Sequence, residues 1–288
     1  MSTMQLHSIS PPDARDMAGS RFSIIRPRAG KKGLFWITPD EPQSAVFRRL
    51  GRDRQVTCLR APTQSSAAQP PTLEQLAHYY ADSVENAQES GPVSLAGFCI
   101  AAVLAREVAI ELLSRGRTVR ALIMIDPPDP AKSRAKVEPD RASDAMALQA
   151  RRIAFHARRV FSMPLGDALR YLRGSLQGVL ARVKYERGRV AHAAAISSGQ
   201  PIRDEFASSY QTSVAAFLNA VPREYPGSAL LIRPVDVPPG AFSRADRRWE
   251  QLIVGGLQFA RVAGDSGSMW LEPSVTELGD TISRCLEQ

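Results

Sequence analysis

Histidine is scarce in this chain, with only His7, His78, His156 and His192 among 288 residues. Such poverty makes a missing histidine conspicuous at any site whose chemistry needs a base near neutral pH. Cysteine is scarcer still: Cys58, Cys99 and Cys285 are too few and too scattered for a disulfide framework. No CxxC pair and no clustered histidines point to a metal site. No apolar run reaches the roughly 18 to 20 residues that cross a bilayer, and the opening MSTMQLHSISPPDARDMAGS lacks the apolar centre of a secretory signal. These absences make a cytoplasmic location the expectation, with no membrane partner. Zinc-finger, helix-turn-helix and aromatic RNA-binding signatures are missing too, so nucleic acid is not an expected partner.

What is present is an ordinary apolar content of 44%, enough in a chain of this length for a substantial core. The net charge of +8 is concentrated in one segment. Residues 131–200 hold 14 Lys or Arg against 5 Asp or Glu, whereas the remainder holds 23 against 24. A basic segment of this kind suits an acidic partner or substrate, or is simply a solvated helical face.

Residues 1–20 are polar and proline-containing and read as a disordered leader or linker, leaving 21–288 as the folded domain. SIIRP and GLFWITP read as short strands, AVFRRLG as a helix ending at Gly51, and QVTCLRAP as another strand. Thr72 with Gln75 forms a capping box opening the helix LEQLAHYYADSVENAQES. PVSLAG is then a strand, CIAAVLAREVAIELLSR a helix closed by Gly116, and TVRALIMID a buried strand bounded by PPDP. Strand, helix and strand at this spacing form a βαβ unit and imply a parallel sheet. Helical periodicity over 144–161, 166–196 and 204–221, broken at Pro164 and Pro201, marks an insertion of about 131–221. GSALLIRPVD and LQFARVAGD are two further strands, and SVTELGDTISRCLEQ a closing helix. The fold class expected is α/β, with a mostly parallel central sheet and a helical insertion.

The stretch LAGFCIAAVLA leaves Cys99 open to two readings. It is a nucleophile on a sharp strand-to-helix turn, or a small inert thiol in the core. Asp126 in LIMIDPP stands at the C-terminal end of a parallel strand, where active residues collect, or caps the turn before two prolines.

GLFWITPDEPQSAVFRRLG, TLEQLAHYYADSV, VSLAGFCIAAVLAREVAIELLSRG, RALIMIDPPDP, REYPGSALLIRP and RVAGDSGSMWLEP occur in the order and spacing of an α/β-hydrolase thioesterase. Over roughly 22–288 the chain resembles the thioesterases that end nonribosomal peptide and polyketide synthetases, with the helical insertion as their lid. The resemblance implies acyl transfer from the phosphopantetheine thioester of an acyl or peptidyl carrier protein, with no cofactor bound by the chain itself. It places Cys99 at the nucleophile, with Gly97 and Ala101 as the small flanking residues, and Asp126 at the acid. It implies an oxyanion hole from the backbone N–H groups of Ile100 and Asp40. Where Glu41 and Pro42 stand the family commonly has two glycines, and Pro42 offers no N–H, so the hole is expected to be narrower or reshaped.

The family's base is a histidine after the last strand, and here Ser266 stands in its place, within Gly264-Asp265-Ser266-Gly267. Serine is no base near neutral pH. His78 falls about 200° from Leu76 around its helix and is expected on the surface; His156 and His192 fall in the lid and His7 in the leader. Three functions remain in play. A cysteine thioesterase would release its acyl chain to an internal nucleophile that is itself acidic, such as an N-sulfonated amide closing a β-lactam, and would resemble the ring-closing thioesterase of a monobactam synthetase of the sulfazecin kind. A hydrolase would borrow a lid histidine. A pseudoenzyme would keep only the binding of a carrier.

Overall fold

The computed structural model describes residues 22–25, 33–38, 44–52, 54–61, 71–132, 209–237 and 243–288, with isolated positions between 150 and 161. Most of the expected lid, and all of the expected leader at 1–20, lie outside the described residues. Seven strands form one sheet: β1 (Phe22–Ile25), β2 (Leu34–Thr38), β3 (Val56–Arg60), β4 (Val93–Phe98), β5 (Val119–Ile125), β6 (Ala229–Pro234) and β7 (Leu257–Val262). Their spatial order is β1-β3-β2-β4-β5-β6-β7, and only the β1–β3 pairing is antiparallel. The described helices are α1 (Ser44–Leu50), α2 (Leu73–Ala87), α3 (Ile100–Ser114), α4 (Ser209–Asn219), α5 (Ser243–Leu252) and α6 (Ser274–Glu287).

Side-chain alternation sorts the sheet into two buried faces. Phe35 and Ile37 of β2, Leu95 of β4, and Leu122 and Met124 of β5 pack toward α2, α3 and α4. Leu34, Trp36, Ala96, Ile123 and Ile125 pack the other way, against α1 and α6. Continuous burial of central strands is why their sequences read as unbroken apolar runs. The α3 helix is buried along nearly its whole length, and its alanines at 101, 102, 105 and 109 let it lie close against the sheet.

The capping box is present, with the Gln75 N–H donating to Thr72 Oγ1 and the Thr72 N–H to Gln75 Oε1. Gly116 takes φ +78 just past α3, the left-handed geometry that ends a helix. The α5 helix has no counterpart among the elements expected from sequence. Half of SRADRRWEQL is charged, but Ala245, Trp249 and Leu252 stand at i, i+4 and i+7 and form one inward stripe, with Trp249 fully buried. Trp249 Nε1 donates to the Pro128 carbonyl at 3.1 Å, and the Arg106 guanidinium lies 5.2 Å from its ring centroid.

Candidate active site

The site grows from the C-terminal edge of the central strands. β4 ends at Phe98 and α3 begins at Ile100, so the chain reverses on Cys99 alone, which adopts φ 52, ψ −120. A non-glycine residue in that conformation is strained and is held there by its surroundings. The Cys99 N–H donates to the Ile125 carbonyl at 2.8 Å and fixes the turn to β5. Gly97 makes the reversal possible: a Cβ there would lie 2.2 Å from the Ala101 carbonyl oxygen. Cys99 is partly exposed. Behind it stands the N-terminus of α3, where the Ile100 N–H is among those the helix cannot use and favours negative charge.

Neither of the other thiols competes. Burial pushes Cys58 up to about 12, and it also raises Cys285.

Asp126 repeats the geometry one strand over. Phe98 pairs with Ile125, so Cys99 and Asp126 leave neighbouring strands at the same level. Asp126 also has a positive φ, 45, and its N–H donates to Ile232 at 2.8 Å. Its carboxylate is engaged on both oxygens. Arg233 Nη1 donates to Oδ1 at 3.0 Å, and Ser266 Oγ donates to Oδ2 at 2.5 Å.

Arg233 was not anticipated from sequence. It is 1% exposed near the end of β6, and it also donates to the Pro127 carbonyl at 2.6 Å and to Asp246 Oδ1 from Nε at 2.9 Å. Two carboxylates and a carbonyl thus surround one buried guanidinium, the condition under which a charge can leave water. The signal available was a single arginine inside the otherwise apolar ALLIRP.

Ser266 is presented by a tightly folded loop. Gly264 turns the chain at φ +94, and a Cβ there would meet Ser268 Oγ at 2.8 Å. Asp265 Oδ1 accepts from the N–H groups of Gly267 and Ser268. Trp270 Nε1 donates to the Ser266 carbonyl at 3.0 Å, and the Trp270 ring packs edge-on against Phe98, centroids 4.8 Å apart. Ser266 therefore hangs beside the end of β4 with its side chain exposed.

The structure thus brings Ser266 onto Asp126, and Asp126 beside Cys99. Asp40, the second expected oxyanion donor, lies outside the described residues, as do His7, His156 and His192. His78 is described, and its side chain is 64% exposed. Its Nδ1 lies 3.1 Å from Glu111 Oε1. Glu111 sits eleven residues along α3, about 16 Å from the end that carries Cys99, so His78 is remote from the site.

A mostly parallel sheet, a strained residue between strand and helix, an acid at the next strand end and a third group after the last strand together define the α/β-hydrolase class. Within that class, residues 32–181 match the family model described as thioesterase domain, and the chain belongs to that family. Among curated proteins, it is 35% identical over 112 residues to the nonribosomal peptide synthetase apvA of Aspergillus terreus (strain NIH 2624 / FGSC A1156), covering 37% of this chain and 12% of that protein. It is 36% identical over 118 residues to the polyketide synthase PksR of Bacillus subtilis (strain 168), covering 39% of this chain and 5% of that one. The chain thus spans only a small part of the length of these relatives. Among solved structures, the NocB thioesterase domain in covalent complex with a fluorophosphonate nocardicin G analogue superimposes with a TM-score of 0.59 at 17% identity, covering 92% of this chain and 99% of that one. The Vlm2 thioesterase domain bound with a dodecadepsipeptide gives 0.56 at 18% identity, covering 92% and 96%. No described helix is long and apolar enough to cross a membrane.

Proposed function

We propose that this chain takes an acyl or peptidyl group from the phosphopantetheine thioester of a carrier protein onto Cys99 and releases it by intramolecular ring closure. The observation that carries the reading is the turn at Cys99: a strained thiol between β4 and α3, beside Asp126, with a serine where a histidine base would stand. The Cys99 thiolate attacks the thioester carbonyl, the carbon–sulfur bond to pantetheine breaks, and the pantetheine thiol leaves with the proton. One thioester replaces another, so this step needs little driving force and less help from a base than attack by serine. A cysteine of ordinary acidity is already a few per cent thiolate at pH 7, and the helix terminus behind Cys99 favours that form. The Ile100 N–H, together with Asp40, would hold the carbonyl oxygen as it gains charge.

Release is where the missing histidine matters. Water is a poor nucleophile without a strong base, whereas an internal nitrogen made acidic by its substituents attacks without needing a histidine. A β-lactam closed by an N-sulfonated amide is the form of this chemistry that fits best. Such a substrate and an acidic carrier would both suit the basic 131–200 segment. No bound cofactor is required, because phosphopantetheine arrives with the carrier.

A second reading is favoured by the engagement of both Asp126 oxygens: the chain binds a carrier without turnover. Intact-protein mass spectrometry after mixing with acyl-pantetheine thioesters, beside Cys99→Ala, separates the two. A stable adduct lost with Cys99 supports acyl transfer with slow release. No adduct on a folded protein leaves carrier binding alone, and rapid turnover to free acid identifies a hydrolase with a base from the lid.

A further inference from the structure

A serine that loses its place as a base need not be idle, and the surroundings of Ser266 give it work. Its hydroxyl has one donor and two acceptor positions. The donor is committed to Asp126 Oδ2 at 2.5 Å, so the exposed side of Ser266 Oγ presents acceptor lone pairs. The backbone that carries it is fixed by Trp270 Nε1 on its carbonyl and by Asp265 on the following N–H groups. Arg233 Nη1 holds Asp126 Oδ1 and the Pro127 carbonyl while its Nε donates to Asp246, and Asp126 Oδ2 is left to Ser266. Asp126 leaves β5 level with the end of β4 that carries Cys99, and Trp270, which holds the Ser266 carbonyl, packs on Phe98 at that same strand end.

We propose that Ser266 and Asp126 act as a proton relay in the release step, and that this relay, built on a carboxylate in place of an imidazole, restricts release to nucleophiles that give up a proton easily. The inference rests on the reading of Cys99 as the acylated residue. In the step, a nucleophile bearing N–H or O–H donates to Ser266 Oγ. As its lone pair attacks the acyl-Cys99 carbonyl, its proton passes to Ser266 while the Ser266 proton passes to Asp126 Oδ2. The carbon–sulfur bond breaks, Cys99 leaves as thiolate, and the proton on Asp126 returns through Ser266 to the thiolate or to water.

The selectivity follows from ordinary acidities. A carboxylic acid titrates near 4 and an imidazolium near 6.5, so a carboxylate is a proton acceptor weaker by roughly two to three powers of ten. Proton transfer of this kind is worth about 10²- to 10⁴-fold only when donor and acceptor strengths are matched. Water and simple alcohols are too weakly acidic for such an acceptor. An acidified amide, a hydroxamic acid or a fluorinated alcohol is much closer to it. In this scheme Ser266 is catalytic, because it touches the nucleophile, and Arg233 is a positioning residue that acts through Asp126.

The test starts from acyl-Cys99 protein, formed with an acyl-pantetheine thioester and separated from excess reagent. Release is followed by mass spectrometry in water alone and with ethanol, trifluoroethanol or acetohydroxamic acid at one pH. The expected order is acetohydroxamic acid, then trifluoroethanol, then ethanol and water. With Ser266→Ala, release to the two acidic nucleophiles should fall roughly 10²-fold more than acylation does, and the solvent deuterium isotope effect on release should shrink. Ser266→His should shift the partition toward water. Arg233→Lys, which keeps the charge but not the fork, should change the pH profile of release rather than scale it uniformly. Equal release to water and hydroxamate in the wild-type protein overturns the relay, as does a Ser266→Ala protein that releases at the wild-type rate. Failure to form any adduct overturns the Cys99 reading and the relay with it, whereas an adduct indifferent to Ser266 removes the relay alone.

Discussion

Replacing Gly97 with alanine adds one methyl group at the tightest point of the turn. That Cβ would lie 2.2 Å from the Ala101 oxygen, 2.4 Å from the Ala101 carbonyl carbon and 2.8 Å from the Ala102 nitrogen. All three atoms are backbone, so no side chain can swing aside, and α3 must move about 1 Å away from β4 for ordinary contacts to return. Overpacking of a close-packed interior costs about 1 to 3 kcal/mol, and a clash with backbone belongs at the upper end. In a domain of this size each kcal/mol lowers the melting temperature by about 2 to 4 °C, so Gly97→Ala should melt roughly 6 to 12 °C lower. The displacement falls on the first turn of α3, so adduct formation at Cys99 should drop more steeply than stability does. Thermal unfolding by circular dichroism and mass spectrometry of the acyl adduct read the two effects separately. A variant with unchanged melting temperature and unchanged adduct formation would refute the account of the turn.

Other perturbations probe the frame around the site. Burial raises Cys58 from 9.0 to about 12 and Tyr225 from 10.0 to about 12. Both groups keep their proton longer when folded, so the stability they contribute is complete below about pH 9 and is lost as pH rises toward 12. Urea unfolding should show up to about 1.4 kcal/mol lost per pH unit for each group in that window, and Cys58→Ala should flatten the loss; equal slopes in both proteins would contradict the assignment. Thr72→Ala removes one half of the capping box and should cost about 1 kcal/mol in the same measurement. Arg115 contacts Asp82, Glu85 and Glu111, partly exposed, so Arg115→Met should cost about 1 kcal/mol at low salt and less at high salt.

Much of the site was legible in the sequence because its residues stand where the chain changes direction. Cys99 sits between an apolar strand and an alanine-rich helix, Asp126 between a strand and two prolines, and Ser266 just after the last strand. Each boundary has a local signal, in glycine, proline or hydrophobic period, that needs no knowledge of distant contacts. Arg233 had no such signal, since its partners are Asp126 and Asp246 and only the folded sheet brings them together. One charge at the end of an apolar run looks like a boundary residue rather than the centre of an ion-pair network. The α5 helix did carry a local signal, the i, i+4, i+7 spacing of Ala245, Trp249 and Leu252, but it is short and half charged, so it reads as a polar connection between two strands. The engagement of Ser266 with Asp126 likewise could not be read from a substitution alone. The sequence shows that a histidine is missing, but not that the hydroxyl in its place bonds to the acid.

The placement of Asp126 on the strand next to Cys99 also bears on how the site is assembled. Cys99 and Asp126 are 27 positions apart in the chain and belong to one βαβ unit, β4-α3-β5. Ser266 reaches Asp126 across 140 positions. Loop-closure entropy grows with the logarithm of the span, so the second juxtaposition costs about 1.5 kcal/mol more than the first. Cys99 and Asp126 can therefore be set side by side by local folding alone. The contact that occupies Asp126 depends on the last strand of the sheet and the loop that follows it, which come late in the sequence.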